Sequence, residues 1–253
     1  MDIVIPCAVI EHGFQVSPVG THGSKTMMLC ELSLLFEASS PETDYSELRQ
    51  LALDENVLLK KTDSNRKEVF KRLVQLYGLQ REIFLYRALR DLWSASEAER
   101  PLLALLCALA RDPLLRVTAP IVLEQPEGSS VTPQMLEAQV VTVYPDRYSP
   151  IMRARIGQNT ISSWAQSGHL SGRLKKIRRR AISGPASTAY ALLLGYLCGV
   201  CGILLFETFW ANVLDVSPGT LDAQAFAASQ RGWIDYRRIG DVADVGFSFL
   251  MRT

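Results

Sequence analysis

The chain has 253 residues, of which 48% are hydrophobic and 21% charged, a composition typical of a globular protein with one large or two modest domains. Its 27 basic and 26 acidic residues give a formal net charge of +1, so neither sign of charge dominates the whole molecule. The five cysteines are odd in number and irregularly spaced, which argues against a disulfide framework and favours the reducing cytoplasm.

Residues 1–24 are predicted to be an irregular or strand-like lead-in, because an early aspartate and a short apolar run do not fit a signal peptide. Residues 25–144 follow, and their apolar positions recur at helical spacing between caps and breakers. The predicted helices cover 25–38, 44–53 from a capping box of Asp44 and Glu47, 64–77, 80–93, 96–112 from a similar cap of Ser96 and Glu99, the segment after Asp112-Pro113, and 132–143. This part is therefore predicted to be a mainly α, N-terminal helical bundle of about seven helices.

Residues 145–183 are predicted to form a basic winged-helix-like unit, in which a recognition helix is followed by a β-hairpin. Ser149-Pro150 is a good start for the helix, with the serine as N-cap and the proline at the first helical position. Gly168 is suited to end the helix in the left-handed conformation. His169-Leu170, a turn at Ser171-Gly172 and the basic run RLKKIRRR then supply the two strands of the hairpin.

One face of the predicted helix is polar. Asn159, Ser162, Ser163 and Gln166 recur at spacings of three and four residues, while Ile161, Trp164 and Ala165 lie on the other side. Amide and hydroxyl groups suit phosphate oxygens and the edges of bases. We therefore expect the apolar side to pack on the core and the polar face to meet a DNA duplex.

Charge is strongly segregated along the chain. No Asp or Glu occurs between Asp146 and Glu207, and nine of the 27 basic residues lie in that interval, which leaves 18 basic against 26 acidic residues elsewhere, a net charge of −8. A basic face on an acidic body favours a polyanionic partner. The candidate DNA-binding residues are Arg153, Arg155, Asn159, Ser162, Ser163, Gln166, His169, Arg173, Lys175, Lys176, Arg178, Arg179 and Arg180.

A second basic cluster, of Arg66, Lys67, Lys71 and Arg72, shares one face of the helix predicted over 64–77. Asp63 and Glu68 dilute this cluster, so it is interpreted as a solvated helix face. The same explanation, a solvated hairpin without a ligand, stays open for the run KKIRRR. For His169, packing or a phosphate contact is favoured over acid-base chemistry.

Residues 184–253 are predicted to hold buried helices and a second winged-helix-like unit. The uncharged run 184–206 is long enough for a membrane span, but its glycines favour two buried helices, over 187–198 and 203–214. A further helix from Ser217-Pro218 ends at Gly232, and strands on either side of a Gly240-Asp241 turn complete the unit. Its acidic residues offset its basic ones, so it is interpreted as a packing or protein-contact unit.

Motifs for catalysis are lacking in the sequence. It contains no GxxxxGK, no GxGxxG after a strand, no HExxH and no GxSxG. Cys198 and Cys201 have a metal-ligand spacing but lie in an apolar run, so they are interpreted as a buried structural pair. His12, His22 and His169 are too scattered to form a ligand set. The sequence thus predicts no enzymatic activity, no cofactor, no metal and no small-molecule substrate.

Three stretches carry a resemblance to a known family. ENVLLKKT with the basic helix after it, ALARDPLL, and IGQNTISSWAQSGHL, in that order between residues 25 and 180, together resemble the BrxA family, the small accessory proteins of BREX bacteriophage-defence islands. The resemblance implies a cytoplasmic, mostly helical protein with winged-helix character that binds double-stranded DNA. The resemblance also implies that the protein acts together with other proteins of a system that methylates host DNA and blocks phage. Residues 184–253 extend beyond the shorter members.

Other functions stay open on the sequence alone. The basic face could meet an acidic partner subunit, which would make the chain a protein–protein scaffold. A helical bundle with a basic face could also bind RNA. A single membrane span over 184–206 is the third alternative, although a membrane location is disfavoured.

Overall fold

The computed structural model describes residues 5–240 and 242–252, and within these ranges the chain is mainly helical with a few short antiparallel strands, as predicted. The helices are α1 (Leu29–Glu37), α2 (Tyr45–Leu53), α3 (Asp63–Tyr77), α4 (Phe84–Trp93), α5 (Arg100–Arg111), α6 (Pro113–Arg116), α7 (Ala119–Leu123), α8 (Pro133–Val143), α9 (Pro150–Gln166), α10 (Pro185–Leu197), α11 (Phe209–Val213) and α12 (Pro218–Gln230). The strands are β1 (Ser130–Val131), β2 (Leu170–Ser171), β3 (Lys176–Arg178), β4 (Asp235–Ile239) and β5 (Val242–Gly246).

Local sequence signals set many helix ends as predicted. The carboxylate of Asp44 accepts the backbone N–H of Glu47 at 2.9 Å and the carboxylate of Glu47 accepts that of Asp44, so the capping box begins α2. Asp112 ends α5 and caps α6 by accepting the backbone N–H of Leu114 at 2.9 Å. Gly78 ends α3 with a positive φ of 81°. These ends depend on neighbouring residues, which explains why the sequence predicts them.

The helix predicted over 80–93 begins four residues late, as α4 at Phe84. Two further predicted helix starts are wrong. Ser96 makes no capping hydrogen bond, and a 3-10 turn occupies the residues between it and α5. Glu99, its expected partner, instead accepts the backbone N–H of Ser187 at 2.8 Å, at the start of α10. Helix α1 begins at Leu29 and not at residue 25, because Met28 has a left-handed φ of 53°. In both places a distant or backbone feature overrides the local pattern.

The lead-in is predicted to be irregular or strand-like, and its described part is irregular. Its described part, from residue 5, forms 3-10 turns at Cys7–His12 and Thr21–Gly23 and buries Phe14 completely. The Arg116 guanidinium donates to the backbone oxygen of Gln15 at 2.8 Å, which joins the lead-in to the bundle. The lead-in is thus an integral layer of the fold. Residues 1–4 lie outside the described part of the chain.

One large apolar core contains residues of all four predicted segments, including Phe14, Leu89, Trp164 and Leu193. Helix α10 lies in its middle, packed against α4, α5, α11 and α12. The hydroxyl of Tyr190 donates to the backbone oxygen of Leu85 at 2.9 Å. Within residues 5–240 and 242–252, no helix combines the length and the apolar character needed to cross a membrane.

The uncharged run 184–206 holds one long buried helix, α10, close to the predicted 187–198. The second predicted helix is instead a 3-10 turn, Gly202–Glu207, followed by the short α11. The predicted buried cysteine pair is corrected too, because Cys198 is half-buried and Cys201 is exposed. The second helix starts late because Thr208 is extended, with a ψ of 158°, and accepts the backbone N–H of Ala211 at 3.3 Å as the N-cap of α11.

Two small antiparallel sheets complete the fold. In the first, the order is β1-β3-β2, with Leu170 opposite Arg178 and Ser130 opposite Ile177. Strand β1 adds a third strand to the predicted hairpin. The second sheet pairs β4 with β5 on either side of the predicted turn. The sequence predicts the return strand over 242–250, but β5 ends at Gly246. Asp241 of the predicted turn lies outside the described residues.

Candidate nucleic-acid interface

Helix α9 is anchored to the core through its apolar side, as predicted. The Ser149 hydroxyl accepts the backbone N–H of Met152 at 3.3 Å, and Gly168 follows the helix with a φ of 89°. Ile161 and Trp164 are buried. The indole N–H of Trp164 donates to the hydroxyl of Thr118 at 2.9 Å. The orientation of α9 is therefore fixed by packing against the bundle.

Apart from Ser162, the polar face of α9 is covered by the end of the lead-in and by residues 26–29 that follow it, which corrects the expectation that this face meets a duplex. The side-chain amide of Asn159 donates to the backbone oxygen of His22 at 2.9 Å. Gln166 accepts the backbone N–H of Leu29 at 3.1 Å and donates to the hydroxyl of Thr26 at 3.0 Å. Backbone groups in this irregular segment have no partners from regular secondary structure. Side chains of α9 therefore bond the backbone oxygen of His22 and the backbone N–H of Leu29.

Ser163, on the same face, belongs to a buried hydrogen-bonded chain. One carboxylate oxygen of Asp112 lies 2.7 Å from Nδ1 of His22, whose Nε2 lies 2.8 Å from the Ser163 hydroxyl. The connectivity is that of a Ser-His-Asp triad. All three residues are completely buried. The Ser163 hydroxyl also accepts the backbone N–H of Met27 at 2.8 Å and donates to the backbone oxygen of Asn159 at 3.0 Å. A substrate has no approach to this hydroxyl in the described conformation, so the chain of residues acts as a structural clamp.

The electrostatics of the clamp favour an ionised Asp112. Burial alone would raise the pKa of this carboxyl group, but the charge and hydrogen bonds of His22 outweigh burial and hold the pKa below its usual range. No local pattern in the sequence predicts this cluster, because His22 lies 90 residues from Asp112 and 141 residues from Ser163.

Four of the six exposed cations between Asp146 and Glu207 lie on the β2–β3 hairpin or directly after it. Arg173, Lys175, Arg179 and Arg180 are exposed, and Lys176 is half-buried. The hairpin turns at Gly172, whose φ is 98°, and a Cβ there would lie 2.2 Å from the backbone oxygen of Lys175. A glycine is therefore required at this turn. The predicted hairpin residues are brought together on one projecting element.

Arg178 and His169 point inward, which removes both from a surface that could bind DNA. The Arg178 guanidinium is 3% exposed, donates to the backbone oxygen of Val122 at 2.8 Å and pairs with Asp215 at 2.8 Å. The ring of His169 lies 2.9 Å from the backbone oxygen of Val213, and burial lowers its pKa to about 4. His169 therefore has a packing role. Arg178 is not available for the DNA contact that the sequence predicts for it, because its side chain is engaged inside the protein.

The exposed face of α9 lies beside the predicted one. Arg155 and Gln158 are exposed, Ser162 is half-buried, and the Ser162 hydroxyl donates to the backbone oxygen of Gln158 at 2.8 Å. Arg153 is half-buried. Sequence reasoning missed Gln158, although its spacing of three from Arg155 and four from Ser162 is a visible signal.

The exposed cations of this region are poorly neutralised within the protein. Of the nine basic residues between Asp146 and Glu207, only Arg178 and Arg180 have a carboxylate within 4 Å in the part of the chain that the structure describes. Arg180 pairs with Glu127 at 3.6 Å. On α3, by comparison, two of the four clustered cations are paired, Lys67 with Asp63 at 2.7 Å and Arg72 with Glu68 at 2.8 Å.

Within residues 5–240 and 242–252, no three His, Cys, Asp or Glu side chains form a group that could hold a metal ion. Comparison with known proteins found no matching family model and no matching curated protein.

Proposed function

We propose that the chain is a non-enzymatic protein that binds double-stranded DNA through a winged-helix-like unit formed by α9 and the β2–β3 hairpin. The observation that supports this most is the set of exposed hairpin cations without carboxylate partners among the described residues, Arg173, Lys175 and Arg179. Such cations attract the phosphates of a duplex and release its condensed counterions on binding. The acidic remainder of the chain keeps this attraction local.

The proposed contact set differs from the one predicted from sequence. It keeps the exposed cations together with Ser162 and Lys176 and adds Gln158. Five residues leave it because their side chains are engaged inside the protein: Asn159, Ser163, Gln166, His169 and Arg178. Arg153 leaves it because its side chain is half-buried and its Nε is covered. The proposed contacts are Arg155, Gln158, Ser162, Arg173, Lys175, Lys176, Arg179 and Arg180. Phosphate contacts dominate this set, so binding is expected to depend weakly on sequence.

A charge-reversal experiment tests the proposal. Arg173, Lys175 and Arg179 are changed together to Glu, and binding to a short random-sequence duplex is measured by fluorescence anisotropy. The matched control changes Arg49, Lys61 and Lys71 to Glu; these are exposed, have no carboxylate within 4 Å among the described residues, and give the same change in net charge. Loss of binding in the hairpin variant alone supports the proposal. Equal loss in both variants would show that only net charge matters.

The proposed cellular role is that of a cytoplasmic DNA-binding component of a BREX-type defence system, acting with other proteins of that system. Its support is the resemblance of residues 25–180 to the BrxA family. In cells that carry the complete system, the hairpin variant is expected to restrict phage less than the wild type, with the control variant unaffected. Phage plating efficiency measures this, and full restriction by the hairpin variant would contradict the role.

A protein–protein scaffold is the second candidate, because the hairpin and its flank also expose apolar side chains. Leu174 at the hairpin tip is 98% exposed and Ile182 is 65% exposed. An acidic partner subunit with an apolar depression would match both the charge and these side chains. A complex with other defence proteins that survives nuclease treatment and is lost in the hairpin variant would favour this candidate over DNA binding.

A further inference from the structure

One apolar side chain stands at the tip of the basic hairpin. Leu174 is 98% exposed, more than any other large hydrophobic residue in the described part of the chain. It lies in the turn 172–175, between strands β2 and β3. A leucine in water forgoes the free energy that burial of its side chain would supply. Single exposed leucines are common on protein surfaces, so the surroundings of Leu174 decide whether it has a partner.

Two cations flank Leu174 in the turn. Arg173 and Lys175 are exposed, and neither has a carboxylate within 4 Å among the described residues. A partner for this tip must accept an apolar side chain and also bring anions to both sides of it. A DNA duplex has this pattern, because the faces of its bases are apolar and a row of phosphates borders each side of a groove.

The turn that carries Leu174 is closed by contacts across it. Gly172 has a φ of 98°, and a Cβ there would lie 2.2 Å from the backbone oxygen of Lys175, so the two ends of the turn touch. The Lys176 ammonium group donates to the backbone oxygen of Gly172 at 2.7 Å. Leu174 is therefore presented on a short and restrained loop, which loses little conformational freedom when it binds.

The base of the hairpin is held by the body of the protein. Strand β3 lies between β1 and β2 in the sheet. The Arg178 guanidinium is 3% exposed and pairs with Asp215 at 2.8 Å. The ring of His169, just before β2, lies 2.9 Å from the backbone oxygen of Val213. A side chain can force two base pairs apart only if its support resists displacement, and these contacts supply that resistance.

We propose that Leu174 enters the minor groove of a DNA duplex and inserts between two adjacent base pairs, so that binding bends the duplex. Arg173 and Lys175 contact the phosphates on the two sides of the groove. The inference rests on the proposed binding of DNA by the hairpin. Proteins that bind the minor groove often insert an apolar side chain such as leucine between base steps, and the step kinks as it unstacks.

The minor groove suits this tip better than the major groove does. It is about 6 Å wide, so one exposed side chain can fill it while the phosphates of both strands lie beside the flanking cations. The major groove is about twice as wide and admits a whole helix or a two-stranded ribbon. Pyrimidine–purine steps unstack most easily, so bending is expected to be strongest at a TA step.

Energy transfer between dyes at the two ends of a short duplex with a central TA step tests the proposal. The wild type is expected to bend the duplex by about 20–90°. Leu174→Ala is expected to leave the duplex straight and to bind with an unchanged salt dependence, because no charge is altered. Its affinity is expected to fall by about tenfold or less, since the cost of unstacking offsets much of what burial of the leucine contributes.

Two further variants show whether the apolar tip itself causes the bend. Leu174→Met keeps an apolar side chain of similar size and is expected to bend the duplex as the wild type does. Leu59→Ala is the matched control, because Leu59 is 73% exposed and lies between α2 and α3, outside the hairpin. It is expected to bind and bend as the wild type does. Melting temperatures check that all three variants are folded.

A pair of duplexes identifies the groove. Replacing guanine by inosine at the central base pairs removes the amino group from the minor groove and leaves the major groove unchanged. The wild type is expected to bend the inosine duplex more strongly, and Leu174→Ala is expected to show no such gain. An equal response of the wild type and Leu174→Ala to inosine would overturn the insertion in the minor groove.

The failure of this inference differs from the failure of DNA binding. A wild type that binds the duplex and leaves it straight, or a folded Leu174→Ala variant that bends it fully, would overturn the insertion and leave DNA binding in place. No binding by the wild type would overturn both. Loss in Leu174→Ala of a nuclease-resistant complex with other defence proteins, together with a straight duplex, would make Leu174 a protein contact instead.

Discussion

Three side chains from distant parts of the sequence, Asp112, His22 and Ser163, form one buried hydrogen-bonded chain. It ties the lead-in both to the α5–α6 junction and to α9. This chain explains why α9 presents Gln158 and not Asn159 to solvent. The Ser163 hydroxyl therefore stabilises the fold and does not face solvent, because another segment of the protein covers it.

Removing the Ser163 hydroxyl tests the clamp. Ser163→Ala leaves His22 Nε2 and the backbone N–H of Met27 without this partner, and each buried group left unsatisfied costs about 1–3 kcal/mol. The free energy of unfolding, from urea denaturation, is expected to fall accordingly. The neighbouring Ser162→Ala is the control, and as a surface change it should cost no more than about 0.5 kcal/mol. Equal stability of the two variants would contradict the clamp.

His169 makes stability depend on pH. Its pKa is lowered from 6.5 to about 4 in the folded chain by burial, so between these values the unfolded chain binds a proton that the folded chain does not. This contribution to stability is complete above pH 6.5 and is lost as pH falls toward 4, by at most about 1.4 kcal/mol per pH unit.

A titration of stability against pH measures this effect. The difference in unfolding free energy between the wild type and His169→Gln is expected to be largest near neutral pH and to shrink toward pH 4. The comparison cancels the carboxyl groups that both proteins share. Parallel curves for the two proteins would show that His169 does not titrate in this way.

At the scale of elements, the position of α9 depends on its close crossing with α8. A Cβ on buried Gly157 would lie 2.5 Å from the backbone oxygen of Pro133, so the two helices touch through their backbones. Gly157→Ala would gain helix propensity of about 1 kcal/mol, but the forced separation is expected to leave the protein about 1–3 kcal/mol less stable.

Gly219→Ala is the matched control for Gly157→Ala. Gly219 is also in a helix, α12, but an added Cβ there has no neighbour within 4 Å among the described residues. This variant is expected to be as stable as the wild type or up to about 1 kcal/mol more stable. The melting temperatures of the two variants and the wild type test this expectation. A Gly157→Ala variant more stable than the wild type would show that α8 and α9 do not cross as described.

Sequence reasoning predicts elements better than it predicts which faces they expose. Ser149, Gly168 and the Asp44 capping box act through neighbouring residues, so their elements are confirmed. The covered face of α9 depends on the lead-in, more than 130 residues away, and the single chain gives no signal for that contact. Arg178 shows the same limit, because its burial depends on Asp215.

At the scale of the whole molecule, one large core supports a body whose charge is opposite to that of the hairpin. The core joins residues from Val9 to Leu250, so the basic hairpin projects from a body to which every predicted segment contributes. That body is acidic in sum and the hairpin is basic. Composition alone gives a net charge near zero and hides this separation, whereas the order of charges along the chain reveals it.

The salt dependence of duplex binding tests the central claim most directly. About five phosphates are contacted by Arg155, Arg173, Lys175, Lys176 and Arg179; Arg180 is not counted, because Glu127 already pairs with it. The logarithm of the binding constant should then fall with the logarithm of salt at a slope of roughly −4 to −5. Changing Arg173, Lys175 and Arg179 to Glu should reduce the slope to about −2 or less. A slope near zero for the wild type, or the same slope in the variant, would contradict DNA binding by the hairpin.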